Sequence, residues 1–163
     1  GCGGGVLAIG AAALAAETGA TIVAIDVDPA ALEVAARNCD ALDVADRVEL
    51  LACDVIAAPA WRRGVFDCVL INPPFGTQEH SHGADVAFLR AGVSACAPGG
   101  VVYSMHKTAT RAVVRKTAAE IAGVQSVAAV AELRFDIPRM YRHHTKANRQ
   151  VAVDVWRLVT EGG

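Results

Sequence analysis

The chain has 163 residues, of which 53% are hydrophobic, and its 15 Lys and Arg residues nearly balance its 17 Asp and Glu residues. A chain of this length and hydrophobicity can bury one substantial core, and its net charge of -2 argues against a global field that attracts nucleic acid. We therefore predict a single domain over residues 1–163, on which any nucleic-acid surface is local.

Cysteine usage and hydropathy indicate the cellular environment. The five cysteines are scattered and include no Cys-x-x-Cys pair, which is typical of reduced thiols in an intracellular protein. No apolar run reaches the length of a membrane span. We expect neither a signal peptide nor a membrane partner. We expect the protein to be located in the cytoplasm or the nucleus.

A glycine-rich loop from Gly1 to Val6 opens the chain, and good helix formers predict a helix from Leu7 to Glu17. Glycines let a backbone approach a ligand closely, and the first turn of a helix offers unpaired amides to an anionic group. This order is typical of a nucleotide-binding unit, although a glycine cluster can also be a simple loop. Because a strand normally precedes such a loop, we expect the chain to be truncated at its amino end and to lack the first, central strand.

Two predicted strands end at carboxylates. The run Thr21–Ile25 ends at Asp26, where a carboxylate can accept hydrogen bonds from both hydroxyls of a ribose. The run Val48–Leu51 leads to Asp54, which can bind an adenine amino group while the amide of Val55 lies near a ring nitrogen. From position alone, a solvated carboxylate at a strand end is an equally good interpretation of Asp54.

The most informative motif follows the apolar run Val69–Ile71, which predicts a buried parallel strand. The strand must stop at Asn72, because Pro73 and Pro74 cannot continue a hydrogen-bonded ladder. The prolines also restrict the backbone, so the Asn72 side chain and the Pro73 carbonyl form a preorganised pair of acceptors. Phe75 adds an aromatic face. The motif suits a planar base with an amino group, and a simple turn is the alternative.

The second half of the chain alternates helices and strands. A polar loop from Thr77 to Asp85 contains His80 and His82, but no third candidate ligand lies nearby, so no metal site is predicted. The connection before the last strand is short, so the last two strands should be antiparallel. The remaining predicted elements are the helices Ala30–Asn38, Val86–Cys96 and Thr108–Ala122, the turn Pro98–Gly100, and the strands Val101–Ser104, Val127–Arg134 and Gln150–Val159.

The segment from Arg134 to Arg149 is the most strongly charged part of the chain, with five basic residues and one acidic residue. Tyr141 and His143 are interleaved with these charges, a pattern typical of a surface for phosphates and bases. From charge alone, a solvated hairpin loop is an equally good interpretation.

Together these motifs resemble those of Class I, S-adenosylmethionine-dependent methyltransferases. More narrowly, the chain resembles the methyltransferase-like family that modifies the exocyclic N6 amine of one adenosine in small-subunit ribosomal RNA. The glycine-rich loop is typical of the whole class, and the Asn-Pro-Pro-Phe motif is typical of amine methylation. The segments Val102–Lys107 and Ala131–Pro138 narrow the resemblance, which covers nearly the whole chain. It implies a Rossmann-like α/β fold, with a mostly parallel sheet and a C-terminal antiparallel hairpin.

The resemblance also implies an activity and its parts. The expected reaction transfers a methyl group from S-adenosylmethionine to the N6 amine of an adenosine in RNA, and the expected partners are small-subunit ribosomal RNA and a small zinc-containing activator subunit. The residues carried over are Asn72, Pro73, Pro74 and Phe75 for catalysis, Gly1, Gly3, Gly4, Val6, Asp26, Asp54 and Val55 for the cofactor, and Lys107, Arg139, Arg142, His143 and Lys146 for RNA.

Two other interpretations stay open. A protein glutamine-N5 methyltransferase uses a related Asn-Pro-Pro element, usually with Tyr at the position of Phe75. Alternatively, the chain is a catalytically inactive RNA-binding or assembly module on the same fold. The basic segment and the match at Tyr103–Lys107 favour RNA over a protein amide as the substrate.

Overall fold

A computed structural model describes residues 1–57, 59, 61–74, 83–137 and 149–163. The chain divides into two compact units, Gly1–Arg62 and Arg63–Gly163. The elements are α1 (Val6–Leu14), β1 (Ile22–Asp26), α2 (Pro29–Ala41), β2 (Val48–Ala52), β3 (Phe66–Ile71), α3 (Ala84–Ala95), β4 (Cys96–Lys107), a 3-10 turn (Thr108–Thr110), α4 (Arg111–Ala119), β5 (Val124–Ile137) and β6 (Arg149–Thr160).

The first unit contains a two-stranded parallel sheet, with the helices α1 and α2. Ile22 pairs with Val48 and Asp26 pairs with Ala52, so both strands end at the same edge of the sheet. Small side chains from the helices and strands fill the core between them, among them Ala12, Ala24 and Cys39. This packing fixes the edge at which the two predicted carboxylates emerge.

The second unit contains a four-stranded mixed sheet in the order β3-β4-β6-β5. β3 and β4 are parallel, whereas β6 is antiparallel to both β4 and β5. The antiparallel pairing of β5 with β6 confirms the predicted C-terminal hairpin. The core of the second unit joins α3 and α4 to the sheet through large apolar side chains, including Leu89, Val114 and Trp156.

The start of β4 differs from the prediction. Instead of a turn at Pro98–Gly100 before a strand at Val101, the strand begins at Cys96, and its pairing with β3 shifts between Phe66 and Cys68. A Cβ atom at Gly100 would lie 2.8 Å from the Asp67 carbonyl oxygen, so the close approach of the two backbones requires glycine. The residues predicted to form a turn therefore lie within β4, in the part of the strand whose pairing with β3 is irregular.

The α/β class, with parallel strands followed by an antiparallel hairpin, agrees with the prediction from sequence. The single domain over residues 1–163 stays a prediction. Of the helices in the described ranges, none has both the length and the apolar character needed to cross a membrane.

Candidate active site

Asp26 lies at the carboxyl end of β1 and is 8% exposed. Its Oδ2 accepts a hydrogen bond from the Gly3 amide at 2.8 Å, and its Oδ1 accepts one from the Asp28 amide at 3.0 Å. Burial raises the pKa of this carboxyl, but the backbone hydrogen bonds from Asp28, Gly3 and Val27 and the nearby amino-terminal charge together hold the pKa below its ordinary value. Asp26 is therefore ionised at neutral pH and fixed in orientation.

The glycine-rich loop is attached to the same strand end. The Cys2 amide donates a hydrogen bond to the Ile25 carbonyl at 2.8 Å, and the Asn38 side chain donates one to the Gly4 carbonyl at 2.8 Å. Gly5 precedes α1 with a φ of 83° and supplies no side-chain cap, so the amides of the first helical turn are available to a ligand or to water. Val6 is 77% exposed, which leaves its side chain accessible.

Asp54 lies just beyond β2, beside the end of β1. The Cys53 amide donates a hydrogen bond to the Asp26 carbonyl at 2.9 Å, which continues the pairing of the two strands. Asp54 is exposed, and its Oδ1 accepts hydrogen bonds from the amides of Ala57 at 3.0 Å and Ile56 at 2.9 Å. These two bonds lower the pKa of Asp54. The first unit thus brings together the glycine-rich loop and both predicted cofactor carboxylates.

This set of groups fits an adenosyl cofactor chemically. Asp26 is a buried, ionised acceptor suited to ribose hydroxyls, and Asp54 is an exposed acceptor suited to an amino group. The loop beside them allows close backbone approach, because Gly3 and Gly5 have φ values of 54° and 83°.

Asn72 directly follows β3 in the second unit, where its side chain is exposed. Pro73 is buried and Pro74 is exposed. The preceding residue, Ile71, pairs with Ser104 of β4. We refer to Asn72, Pro73 and Pro74 as the Asn72 tip, in which Asn72 is exposed and the adjacent Pro73 is buried; its role as a pair of hydrogen-bond acceptors stays a prediction. Phe75 lies outside the described residues.

A buried polar network at the end of β4 was not anticipated from sequence. His106 is 2% exposed, with Nε2 2.8 Å from the Ser104 hydroxyl and Nδ1 3.8 Å from a carboxylate oxygen of Asp85. Burial lowers the pKa of His106, against the opposing effects of Asp85 and Asp154. The order of groups is that of a serine hydrolase triad, but Ser104 is fully buried, so it is not accessible to a substrate.

A second network fixes the start of α4. The carboxylate of Asp154 on β6 is fully buried and accepts hydrogen bonds from Arg111 Nε at 2.7 Å and from the Thr108 hydroxyl at 2.8 Å. Arg111 also donates to Glu132 on β5 at 2.9 Å. The hydrogen bond from Arg111 outweighs burial and lowers the pKa of Asp154. The sequence signal for this network is Asp154 itself, a carboxylate between Val153 and Val155 in an apolar strand.

Of the predicted RNA-binding residues, the structure describes only Lys107, the last residue of β4, which is half-buried and pairs with Val153. In the ranges that the structure describes, no group of three or more His, Cys, Asp or Glu side chains is arranged to hold a metal ion. The remaining predicted RNA-binding residues, Arg139, Arg142, His143 and Lys146, lie outside the described residues.

Solved structures share this architecture. A Pyrococcus horikoshii protein assigned to the RNA methyltransferases has a TM-score of 0.72 and 29% sequence identity, over 99% of this chain and 72% of that one. The fold and its strand-end carboxylates define a Class I methyltransferase, the class that uses S-adenosylmethionine as methyl donor.

The family assignment comes from sequence. The methyltransferase small domain family matches residues 1–131. The rRNA N(6)-adenosine-methyltransferase metl-5 of Caenorhabditis elegans is 37% identical over 156 residues, which cover 95% of this chain and 71% of the relative. The chain belongs to the methyltransferase small domain family and is an S-adenosylmethionine-dependent methyltransferase.

A shorter likeness connects the chain to a protein-modifying enzyme. The release factor glutamine methyltransferase of Cereibacter sphaeroides is 44% identical over 75 residues, which cover 46% of this chain and 25% of that protein. The likeness to the adenosine-modifying relative extends over about twice as much of the chain.

Proposed function

We propose that the chain transfers a methyl group from S-adenosylmethionine to the N6 amine of an adenosine in small-subunit ribosomal RNA. The observation that carries this proposal is the Asn72 amide, which is exposed at the end of β3 on a backbone stiffened by Pro73 and Pro74. The likeness to an rRNA N(6)-adenosine-methyltransferase over 95% of the chain supports the same substrate.

The chemistry of the target explains why an amide suffices. The exocyclic amine of adenine is a weak nucleophile, because its lone pair is delocalised into the ring. Hydrogen bonds from the amine to the Asn72 side-chain oxygen and the Pro73 carbonyl favour a pyramidal nitrogen with a localised lone pair. Bound S-adenosylmethionine supplies an electrophilic methyl group on a sulfonium. The amine proton becomes acidic only after the nitrogen has been methylated, so Asn72 does not need to act as a strong base.

Most of the acceleration in this mechanism comes from positioning and from preorganised acceptors. We assign base stacking to Phe75, because an enzyme that reacts with a nucleobase must hold it outside a helix. Losing one preorganised hydrogen-bonding group typically lowers the rate about 10² to 10³-fold.

We assign cofactor binding to the first unit. In this assignment Asp26 holds the ribose hydroxyls, Asp54 accepts from the adenine amino group, and the Val55 amide faces a ring nitrogen. The burial of Asp26 and its two amide hydrogen bonds support its role as a fixed acceptor. The glycine-rich loop supplies the remaining cofactor contacts at Gly1, Gly3, Gly4 and Val6.

RNA binding, an activator and the compartment complete the proposal. We assign RNA contacts to Lys107 and to the basic segment with Arg139, Arg142, His143 and Lys146, and we place the protein in the cytoplasm or the nucleus. We also propose the small zinc-containing activator subunit that the family resemblance implies, and the exposed apolar side chains that it could cover include Leu42 and Ile56, which are 61% and 49% exposed. Light scattering tests this partner. A defined complex with the subunit supports it, and an unchanged mass in its presence contradicts it.

A labelled-methyl assay tests the proposed activity. The chain is incubated with S-adenosyl-[methyl-³H]methionine and, in separate reactions, with small-subunit RNA, large-subunit RNA or a glutamine-containing peptide. We expect label in small-subunit RNA for the natural sequence and almost none for Asn72→Ala. Label only in large-subunit RNA would contradict the proposed specificity.

The second candidate function is methyl transfer to a protein glutamine amide, which the 44% identity to the release factor enzyme favours. Because that match covers only 46% of the chain, RNA methylation remains the first proposal. Label in the peptide alone would establish the second candidate. Cofactor binding without transfer to any substrate would indicate a catalytically inactive module.

A further inference from the structure

An open groove of about 440 Å³ lies along α4 in the second unit. The described residues that line it are Arg111, Ala112, Arg115 and Lys116. Three of these four residues are cationic, and none of them belongs to the basic segment between β5 and β6. The groove is therefore a concentration of positive charge contributed by residues outside that segment of the sequence.

Arg111 lines the groove with a side chain that hydrogen bonds hold in place. It donates two hydrogen bonds to the buried carboxylate of Asp154 and one to Glu132. These carboxylates both orient the guanidinium and compensate its charge. We therefore assign Arg111 to the shape of the groove, and the charge available to a ligand comes from the other two cations.

Arg115 and Lys116 are exposed. In the described part of the chain, neither side chain has a carboxylate oxygen within 4.0 Å. The guanidinium carbon of Arg115 lies 6.0 Å from the centroid of the Trp156 ring, which is fully buried. This contact restricts the Arg115 side chain, so the side chain loses less conformational freedom when a ligand binds. The pair is thus a partly preorganised site for anions.

The position of the groove relates it to the Asn72 tip. β3 and β4 are parallel neighbours, so Asn72 and Lys107 mark the same edge of the sheet. Only the turn Thr108–Thr110 separates β4 from α4. The groove therefore starts at the edge that carries Asn72, and Arg115 lies about 6 Å further along the helix than Arg111.

We propose that Arg115 and Lys116 bind backbone phosphates of the RNA that flank the target adenosine. This inference rests on the proposed function, because it takes RNA as the substrate. The planar fork of Arg115 suits two oxygens of one phosphodiester, and Lys116 adds a point charge beside it. Such contacts are independent of sequence, so they contribute affinity and register but do not select the base.

The test is the salt dependence of RNA binding by the double variant Arg115→Gln, Lys116→Gln. Fluorescence anisotropy with a small-subunit RNA fragment is measured from 50 to 200 mM KCl. Loss of two phosphate contacts should reduce the slope of log K against log salt by about 1.4 to 1.8. The ratio of the binding constants of the natural sequence and the variant should then fall about tenfold from 50 to 200 mM KCl. The affinity for S-adenosylmethionine should not change.

The matched control removes two exposed charges elsewhere, with Arg37→Gln and Arg90→Gln on α2 and α3. We expect this control to keep the natural slope, and Arg115→Lys to keep most of it. An unchanged slope in the test variant, or an equal loss in the control, overturns the inference while methyl transfer to RNA upholds the proposed function. Conversely, a reduced slope without methyl transfer by the natural sequence overturns the proposed function and leaves the binding site intact.

Discussion

The ends of β1 and β3 each present a polar side chain, but the two ends are held in opposite ways. Asp26 is buried, and both of its oxygens accept hydrogen bonds from backbone amides. Asn72 is exposed, and the adjacent prolines restrict its backbone while its side chain faces solvent. At β1 the contacts that orient the side chain also stabilise the fold. At the end of β3 the prolines restrict the backbone, and the side chain assigned to function is exposed. Substitutions at the two strand ends should therefore differ in their effects on stability and activity.

The largest effect is expected at Asn72. Asn72→Ala should lower the single-turnover rate of methyl transfer about 10² to 10³-fold, because it removes a preorganised acceptor for the target amine. The free energy of unfolding should change by less than about 0.5 kcal/mol, because the side chain is exposed. Cofactor affinity, measured by calorimetry, should stay nearly the same. Normal turnover in this variant would remove Asn72 from the mechanism.

Asp26→Asn should affect both stability and cofactor binding. The substitution keeps the shape of the side chain but weakens two charge-assisted hydrogen bonds, so the free energy of unfolding should fall by about 1–3 kcal/mol in urea titrations. S-adenosylmethionine should bind more weakly in the same variant. Asp28→Asn is the matched control, because Asp28 caps α2 from an exposed position where Asn caps equally well. Equal stability of the two variants would contradict the role of the buried hydrogen bonds.

The pH dependence of stability sharpens the same contrast. The pKa of Asp26 is lower in the folded protein than its ordinary value of 3.8, so its contribution to stability is complete above about pH 5 and is lost as the pH falls through the folded pKa. Urea titrations from pH 6 to pH 3 should show a shallower decline for Asp26→Asn than for the natural sequence. The decline should not vanish, because the pKa of Asp154 is also lowered. If the free energies of unfolding of the two proteins declined in parallel with pH, Asp26 would not contribute to the pH dependence of stability.

The smallest effect is expected at Asp54. Because Asp54 is exposed and an Asn side-chain oxygen can still accept from the amides of Ile56 and Ala57, Asp54→Asn should change the free energy of unfolding less than Asp26→Asn does. If it accepts a hydrogen bond from the adenine amino group, the substitution should weaken S-adenosylmethionine binding about threefold to tenfold. Calorimetry against Asp46→Asn, an exposed carboxylate outside the site, measures the difference. Equal affinities in the two variants would make Asp54 a solvated residue at a strand end.

The strand ends could be located from sequence because local chemistry determines them. Apolar or β-branched runs that stop at Asp26 and Asn72 indicate both the strand and its carboxyl end, and proline stops β3 at a defined residue. The site carboxylate Asp54 was located in the same way. Their burial could not be predicted, because it depends on the packing of the loops around each end.

The hydrogen-bond network around Asp154 could not be predicted from local sequence patterns. Arg111 and Asp154 are 43 positions apart, and their contact depends on the register that pairs β6 with β4. The start of β4 at Cys96 has a similar cause, because the irregular pairing with β3 is decided between strands and not within the Pro98–Gly100 segment. Long-range register, unlike a strand end, leaves little trace in a local pattern.

The central claim is that the Asn72 tip directs a methyl group to an exocyclic adenine nitrogen. Nucleoside mass spectrometry of small-subunit RNA after a single turnover tests it most directly. We expect the added methyl to be recovered as N6-methyladenosine with the natural sequence and to be absent with Asn72→Ala. A methyl group found on a ring nitrogen or a ribose oxygen instead would contradict it.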